Sequence, residues 1–377
     1  MLSKAEIVAR HLARTGAEAR VFRAPGRVNL IGEHTDYSGG FCLPAAIDRE
    51  TVIAASVRDD RKITVESVDF DEVVESELDA LGERGRGHWS DYCFGVARQM
   101  RDALKGGVDL TVVGNVPLGA GLSSSASVEV ATAFALMGVG GVRMKNVDVA
   151  LLCQSAENEY VGAPCGIMDQ FASVHGVKGN ALLIDTRSLE YGLAPLPESV
   201  RLVICNSMVK HSVADGGEYA ERRGEVEEAA RALRAHGLRD ATLGQLNGRK
   251  GAMAPNVFKR ARHVITDSER AVRGTEMLRA GDVRGFGALM VEAHASFRDD
   301  FGASCEECDL LVEMAMGIDG CLGARLTGGG FGGCTVNLVE AGRAEGFARE
   351  LRDGYLAKTG VDASVYVCAV GDGAGEI

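Results

Sequence analysis

A mainly apolar run followed by a loop rich in glycine and serine is the most informative pattern in this chain. Residues 108–116 form the run, the loop PLGAGLSSSAS begins at Pro117, and Val128, Ala131 and Phe134 then recur at helical spacing. This order predicts a strand, a loop and a helix. The first N–H groups of a helix lack partners within the helix and attract anions, so the loop is a candidate site for a nucleotide triphosphate.

The loop differs from the two common nucleotide-binding patterns. A P-loop would end in Gly-Lys-Ser/Thr, and the dinucleotide pattern requires glycine where Ser124 stands. Gly119 and Gly121 would let the backbone approach a phosphate closely, and the hydroxyls of Ser123 and Ser125 could donate hydrogen bonds or bind magnesium. A serine-capped helix after a flexible turn explains the same residues, so both interpretations stay open here.

Similar patterns predict an N-terminal half that mixes strands and helices. Strands are predicted in residues 21–31, with a kink at Ala-Pro-Gly, and in the segments TVIAASV and ITVESV. Helices are predicted in residues 1–16, in HWSDYCFGVARQM, and after Asn146, which could cap its helix. A further helix restarts after Pro164 and Gly166 and carries an aspartate, Asp169, in its first turn.

The second half is predicted to begin after a proline-containing passage at residues 180–198. A strand, VRLVICNS, the polar loop MVKHSVADGGEY and a charged helix, Ala220 to Ala235, come first, and further helices follow. We therefore predict two domains, residues 1–198 and 199–377. Near the end, GARLTGGGFGGCTVNLV matches the GxGxxG spacing but continues as a strand, which predicts a tight crossing of this backbone with another backbone or a ligand.

Composition and charge narrow the class of function. The chain has 377 residues and a net charge of −12, from 41 basic and 53 acidic residues, which argues against a nucleic-acid partner. No apolar run is long enough to cross a membrane, and the N-terminal helix lacks the features of a signal peptide, so we expect a cytoplasmic protein. Of the ten cysteines, Cys305 and Cys308 form a CxxC pair without the further ligands that a zinc site requires.

Several polar residues stand out for chemistry. Glu33, His34 and Asp36 crowd one loop, where they could bind a metal, accept hydrogen bonds from sugar hydroxyls, or simply be solvated. Arg27 lies in a strand that is otherwise apolar, and a buried guanidinium usually has an anionic partner. The single tryptophan, Trp89, could belong to the core or stack beside a nucleotide base.

Two acids in predicted helices could each have an ordinary structural role instead of a catalytic one. Asp169 could serve only to complement the dipole of its helix. Glu157 could be an ordinary solvated charge on a helix surface. The residues alone do not choose between these roles and a catalytic one.

Three separated blocks together resemble one enzyme family. The segments GRVNLIGEHTDYSGG, PLGAGLSSSASVEVA and ARLTGGGFGGCTV resemble the three signature motifs of the GHMP small-molecule kinases, and the first resembles the galactokinase signature in particular. The resemblance runs from about residue 20 to the C-terminus. It implies an α+β fold of two domains with the active site in the cleft between them. It also implies ATP and Mg²⁺ as cofactors and phosphorylation of the anomeric hydroxyl of galactose.

The resemblance also implies roles for individual residues. Asp169 would face the anomeric hydroxyl with Arg27 beside it, and Ser125 and Glu157 would bind magnesium. The other sugar hydroxyls would be held by Glu33, His34, Asp36, the backbone at Gly166, and Tyr219. The nucleotide would be bound by Trp89 near the adenine and by Gly119, Ala120, Gly121, Leu122, Ser123, Ser124 and Ser125 around the triphosphate.

Two alternatives to this activity remain at this point. A relative could act on another sugar, such as N-acetylgalactosamine or arabinose, and a related protein could bind galactose and ATP as a sensor without catalysis. In each case the expected partners are small molecules, with no nucleic acid and no membrane. We expect the protein to be a monomer or a weak homo-oligomer.

Overall fold

The computed structural model describes residues 2–209 and 217–377. Its α-helices are α1 Lys4–Thr15, α2 Asp91–Met100, α3 Ser124–Gly140, α4 Asn146–Ser155, α5 Met168–His175, α6 Gly217–Leu233, α7 Leu243–Gly248, α8 Pro255–Arg279, α9 Val283–Ser296, α10 Glu306–Gly317 and α11 Ala344–Thr359. Its strands are β1 Arg20–Asn29, β2 Phe41–Cys42, β3 Pro44–Arg58, β4 Lys62–Ser67, β5 Glu72–Glu77, β6 Gly107–Gly114, β7 Asn180–Asp185, β8 Tyr191–Pro195, β9 Val200–Asn206, β10 Cys321–Thr327, β11 Cys334–Glu340, β12 Ser364–Cys368 and β13 Gly375–Glu376.

These strands form three sheets. The first has the order β13-β1-β3-β6-β4-β5, and its pairs are antiparallel except for the parallel pair of β4 and β6. The second has the order β10-β11-β9-β12, and the third has the order β2-β7-β8, both antiparallel. Helices and antiparallel sheets segregated in this way make an α+β fold, as predicted.

The first sheet is covered on both faces. Helices α2, α3, α4 and α5 form one layer, with α3 packed directly on β1 and β3. Alternate residues of these strands point into the same core, among them Phe22, Ile53 and Leu110. Helix α1 covers the other face, where Ile7 packs against Val52. The loop before α3 is thereby held at one end of a rigid layer.

One buried cluster belongs to both halves of the chain. Val28, Leu30 and Ile31, from β1 and the residues after it, share this cluster with β9, α9 and β11, represented by Ile204, Phe286 and Val336. Because burial of apolar surface is the main stabilising term, this shared core holds the two halves against each other.

Most predicted elements are present, and the differences have local causes. Trp89 precedes α2 rather than lying in it, because the helix begins at Asp91 after a turn in which His88 O accepts from Asp91 N–H. Asn146 is the first helical residue, and the N-cap is Lys145, so the predicted asparagine cap is wrong. The passage at 180–198, which was predicted as an irregular connection, contains the antiparallel hairpin of β7 and β8.

The predicted division at residue 198 lies between β8 and β9, and it stays a prediction. The C-terminal strand crosses this division, since β13 pairs with β1 of the first sheet. The central part of the predicted polar loop, residues 210–216, lies outside the described residues. None of the helices in the described parts of the chain combines the length and the apolar character needed to span a bilayer.

A buried histidine in this scaffold gives a prediction for stability. His11 is completely buried between α1 and the first sheet, with its ring nitrogens 3.1 Å from Thr111 Oγ1 and 2.9 Å from Ser56 Oγ. Burial lowers the pKa of His11 to about 4, below its ordinary value near 6.5. As the pH falls, His11 is therefore protonated in the unfolded chain before it is protonated in the folded protein. The stability that the neutral, buried His11 contributes is complete above about pH 6.5 and is lost as the pH falls towards 4.

We expect the free energy of unfolding of wild type to fall by about 2 kcal/mol relative to a His11→Asn variant between pH 7 and pH 5. Urea denaturation of both proteins at the two pH values measures this difference. A gap between the two proteins that does not change with pH would contradict the assignment of a neutral, buried imidazole.

Candidate active site

The three signature segments meet at the loop that precedes α3. From the first segment, the Arg27 N–H donates to Leu122 O at 3.1 Å. From the third segment, a Cβ atom at Gly328 would lie 3.1 Å from Gly121 O, and one at Gly333 would lie 3.5 Å from Ala120 O. The glycines of the third segment therefore lie where two backbones cross closely, as predicted.

The side chains of this loop divide into two groups. Ala120 and Leu122 are buried in the shared core, so only their backbone atoms are available to a ligand. Gly119 and Gly121 both have positive φ angles, 66° and 72°, which glycine adopts without strain. The loop thus presents backbone at the N-terminal end of α3, where the helix dipole favours an anion.

Asp169 and Arg27 form the central pair of the site. Arg27 Nε donates to Asp169 Oδ1 at 2.7 Å, and Nη2 donates to Oδ2 at 2.6 Å. The third guanidinium nitrogen, Nη1, donates to Gly121 O at 2.7 Å. Arg27 is buried, so one rigid group joins the carboxylate to the loop before α3.

Ser123 makes a contact that the sequence analysis did not foresee. It occupies the N-cap position of α3 with φ 59° and ψ 48°, and its side chain makes no capping hydrogen bond. Its hydroxyl instead donates to Asp169 Oδ2 at 2.6 Å. A non-glycine residue in this left-handed region is uncommon, and here it turns the hydroxyl towards the carboxylate.

A second carboxylate lies beside the start of α3. Glu157, in the π-helical turn Ala156–Val161 that continues α4, is buried and forms a hydrogen bond with the Ser125 hydroxyl. Gln170 Nε2 donates to Glu157 Oε2 at 2.6 Å and to Glu129 Oε2 at 3.1 Å. Burial raises the pKa of Glu157 to about 7 and raises that of Glu129 well above its ordinary value.

The oxygen atoms of Ser125 and Glu157 suit magnesium. Mg²⁺ prefers hard oxygen ligands and is commonly held by one or two carboxylates together with substrate phosphates. Glu129 contributes a buried oxygen, Oε1, that has no hydrogen-bond partner. In the described parts of the chain, no cluster of three or more His, Cys, Asp or Glu residues is arranged to hold a metal. Ser125, Glu157 and Glu129 therefore supply the hard oxygen donors that Mg²⁺ prefers.

The predicted sugar loop is anchored from both sides. Glu33 is buried, its Oε1 accepts from Gly328 N–H at 2.9 Å, and Arg325 Nη1 lies 3.6 Å from the same oxygen. Burial raises the pKa of Glu33, while Arg325 and Arg27 oppose this effect. Asp267 of α8 accepts hydrogen bonds from the N–H groups of Gly32 and Glu33, at 2.9 Å and 3.0 Å.

His34 lies in a cage of aromatic rings. Its ring centroid is 4.4 Å from that of Phe301, and Tyr219 is 5.1 Å away. Its nitrogens lie 3.0 Å from Tyr37 Oη and 3.1 Å from Gly329 O. Burial lowers the pKa of His34 to about 3, so the imidazole is neutral at physiological pH. This cage positions Tyr219 over the same loop.

Asp36 is the most open of the acids in this loop. Its carboxylate lies against Gly166, where an added Cβ would come within 1.6 Å of Asp36 Oδ2, so the glycine leaves space for the acid. Both residues line a cavity of about 490 Å³ that also includes Asn158, Cys165 and Arg223. Burial and the charge of Asp169 raise the pKa of Asp36 to about 6.

Trp89 lies apart from these contacts. Its indole N–H donates to Glu72 Oε2 at 2.6 Å, and its ring stacks on Phe70 with centroids 5.6 Å apart. It also packs against the core of the first sheet, so Trp89 contributes to the core, which is one of the two roles that the sequence left open. Its place near an adenine stays a prediction.

Four residues of the site were missed in the sequence analysis: Glu129, Gln170, Asp267 and Arg325. Each is buried and polar. Glu129 and Arg325 lie within two of the signature segments, Gln170 directly follows Asp169, and a charged or amide residue among apolar neighbours was an available signal. Asp267 lies on α8, outside every motif, and no local pattern distinguishes it from a surface acid.

The close crossing at Gly328 gives a further prediction. Gly328 has a φ of 92°, and an alanine there would be strained and would press against the Gly121 carbonyl. We expect Gly328→Ala to reduce the free energy of unfolding by about 1–3 kcal/mol. Thermal denaturation, with Gly342→Ala as a control whose Cβ meets nothing within 4 Å, measures it. Equal melting temperatures for the two variants would contradict the crossing.

Comparison with protein families agrees with this geometry. Residues 9–57 match the galactokinase galactose-binding signature. Residues 91–177 match the GHMP kinases N terminal domain, and residues 275–356 match the GHMP kinases C terminal domain. The matched ranges include the sugar loop, the loop before α3, Asp169 and the third glycine-rich segment.

Individual relatives match over nearly their whole length. The galactokinase of Roseiflexus sp. (strain RS-1) is 43% identical over 385 residues, covering 100% of this chain and 98% of the relative. The galactokinase of Chloroflexus aggregans (strain MD-66 / DSM 9485) is 44% identical over 361 residues, covering 94% and 92%.

Solved structures agree with the sequence relatives. The structure of Lactococcus lactis galactokinase complexed with galactose superposes with a TM-score of 0.94 at 31% identity and covers 99% of both chains. A mevalonate kinase, at 19% identity and a TM-score of 0.65, shares the fold. The extent of these matches and the meeting of the three segments lead to one conclusion: the chain belongs to the galactokinase family of GHMP kinases.

Proposed function

We propose that this protein transfers the γ-phosphoryl group of ATP to the anomeric hydroxyl of α-D-galactose, giving α-D-galactose 1-phosphate and ADP. The observation that carries the proposal is the position of Asp169. Arg27 and Ser123 fix its carboxylate at the loop before α3, and 24% of its side chain is exposed. An acceptor hydroxyl bound at that carboxylate would lie next to a phosphate bound by the loop.

The loop before α3 is proposed to bind the triphosphate. Gly119 to Ser125 would surround the phosphates, with backbone N–H groups and the Ser124 hydroxyl as donors. Ser125 and Glu157 would hold Mg²⁺, which offsets negative charge on the β- and γ-phosphates when it is bound. Trp89 is proposed to lie near the adenine.

The sugar is proposed to bind between the anchored loop and α5. Asp36, with the backbone at Gly166, would accept hydrogen bonds from ring hydroxyls, because a carboxylate offers two acceptor oxygens. Glu33, His34 and Tyr219 would complete the site. Their own contacts with Gly328, Gly329 and the aromatic cage support a rigid surface rather than side chains that move to meet the sugar.

The contribution of the protein to the reaction is positioning and charge. Phosphoryl transfer proceeds through a loose transition state, so little covalent chemistry is needed from side chains. Asp169 Oδ1 accepts from Arg27 Nε, and Oδ2 accepts from both Arg27 Nη2 and the Ser123 hydroxyl, which fixes the carboxylate and leaves a further lone pair on Oδ1 for a substrate hydroxyl. Asp169 would align this hydroxyl and accept its proton, while Arg27 stabilises charge on the transferred group.

The direct test is an assay of ADP release with Mg²⁺, ATP and a panel of acceptors. We expect turnover with galactose and much lower values of kcat/KM with N-acetylgalactosamine and arabinose. A preference for either of the other sugars would reassign the substrate. Binding of galactose and ATP without ADP release would replace the proposal with a sensor. A cytoplasmic location and a monomeric or weakly associated state stay predictions.

Replacement of Asp36 tests the sugar site. We expect Asp36→Ala to weaken galactose binding by about tenfold or more and to leave the KM for ATP nearly unchanged, because ring hydroxyls lose a charged acceptor. Calorimetric titration with galactose at pH 7.5, above the pKa of Asp36, measures the change. Glu159→Ala, at an exposed acid, is the control. Unchanged affinity for galactose would remove Asp36 from the sugar site.

A further inference from the structure

Cys305 and Cys308 are placed as a pair at the start of α10. Cys305 is the N-cap residue of this helix, and its carbonyl accepts the first helical hydrogen bond, from Asp309 N–H at 2.9 Å. Cys308 lies in the first turn. Cys305 is half-buried and Cys308 is completely buried, and their i, i+3 spacing at the start of the helix makes the two thiols neighbours. One thiol therefore faces outwards and its neighbour lies behind it.

A structural metal does not explain the pair. Zinc sites of the structural type need four ligands, and no cluster of three or more metal-binding side chains occurs among the residues that the structure describes. All ten cysteines lie within those residues and all are free thiols. The two sulfur atoms are thus available for reaction with each other.

The surroundings make the outer thiol the more reactive one. The neighbouring Cys308 thiol lowers the pKa of Cys305, and the proximity of Cys305 together with burial raises the pKa of Cys308. The other half-buried cysteines differ, since burial raises the pKa of both Cys165 and Cys321. A helix N-terminus also stabilises a thiolate, and a thiolate is the form that attacks disulfides.

We propose that Cys305 and Cys308 form a redox-active dithiol, which a small-molecule disulfide oxidises to an intramolecular disulfide. The Cys305 thiolate attacks one sulfur of the oxidant, breaking its S–S bond and releasing one thiol. Cys308 then loses its proton and attacks Cys305 Sγ, which breaks the mixed disulfide and releases the second thiol. The protein gives up two electrons and two protons, and the oxidant disulfide is reduced to two thiols.

The pair is connected to the third glycine-rich segment by short contacts. The Cys308 thiol lies near Ser207, and the N–H and hydroxyl of Ser207 both donate to Gly333 O, at 2.9 Å and 2.8 Å. Two residues before Cys305, Ala303 O accepts from Phe331 N–H at 2.6 Å. Formation of the disulfide draws Cys308 Sγ towards Cys305 and away from Ser207. We expect the segment beside the phosphate loop to shift.

The consequence for catalysis rests on the proposed function. Since Gly333 lies against Ala120 of the phosphate loop, oxidation should raise the KM for ATP by about threefold or more and change the KM for galactose less. Reduction with dithiothreitol should return the KM for ATP to that of the untreated protein. The chemistry of the thiols can be followed independently of kinase activity.

The experiment treats the purified protein with oxidised glutathione, quenches with acid, alkylates the remaining thiols and maps the peptides by mass spectrometry. For wild type we expect one peptide that carries Cys305 and Cys308 without alkyl groups and two hydrogens lighter than the reduced form. Cys308→Ser should retain glutathione on Cys305, and Cys305→Ser should gain neither modification at Cys308. Cys321→Ser, a matched half-buried cysteine, should form the disulfide as wild type does.

Two outcomes would overturn the proposal. One is stable glutathione on Cys305 of the wild type, equal to that in Cys308→Ser, since the inner thiol would then not resolve it. The other is full alkylation of both cysteines after oxidation, with circular dichroism showing folded protein. A disulfide that leaves the KM for ATP unchanged would overturn the connection to the glycine-rich segment. Failure of reduced protein to release ADP would concern the proposed function alone.

Discussion

Asp169→Asn is expected to lower kcat by about 10²-fold or more while galactose still binds. Asparagine preserves the shape of the side chain, but it removes the charge and one of the two acceptor oxygens that Arg27 and Ser123 now bind. The aligned acceptor for the substrate hydroxyl is then lost. Steady-state kinetics with a coupled ADP assay give kcat, and calorimetric titration gives the dissociation constant for galactose.

The matched control is Asp148→Asn, the same change at an exposed acid in the first turn of α4. Its kinetics should equal those of wild type. Near-normal turnover of Asp169→Asn would remove this residue from the chemistry. A large loss of galactose affinity without a change in kcat would make it a binding group only.

Arg27→Lys is expected to lower kcat by about 10²-fold, although the positive charge is kept. A guanidinium donates in three directions at once, to both oxygens of Asp169 and to Gly121 O, and a lysine ammonium cannot reproduce this planar arrangement. If the pair acts as one unit, the double variant with Asp169→Asn should lose little more activity than either single variant. Kinetics of the four proteins form a double-mutant cycle.

The control for Arg27 lies on the same strand. Arg23 also pairs with an acid, as Nη1 donates to Glu50 Oε2 at 2.8 Å, and that acid lies on β3 rather than in the site. Arg23→Lys should therefore retain activity. If the fold losses in kcat of the two single variants multiply in the double variant, their free-energy effects are additive. That outcome would show that Arg27 and Asp169 act separately.

The fold was predictable where a local pattern carries it. The strand, loop and helix around Gly119 to Ser125 follow from apolar spacing and glycine positions, and so does the helix that carries Asp169. The β7–β8 hairpin was missed because Pro195 and Pro197 suggested an irregular connection, whereas Pro195 ends an edge strand, where its missing N–H costs little.

The sequence predicted which residues form the candidate site better than it predicted the contacts between them. The family resemblance pointed to Asp169 and Arg27, and the structure brings these residues together. It could not be foreseen that Ser123 would bind Asp169 instead of capping α3, because that depends on a left-handed backbone at one residue. Contacts such as Asp267 with Gly32 join residues more than two hundred positions apart, and no spacing in the sequence encodes them.

The core that both halves share has a consequence for engineering. Exchange of one half with that of a mevalonate kinase would place unrelated side chains opposite Leu30 and Phe286, and neither donor sequence was selected for that contact. Successful chimeras would have to carry β1, α9 and β11 from a single parent. The unit that can be transplanted between relatives is therefore the shared core formed by these three elements, rather than either half of the chain.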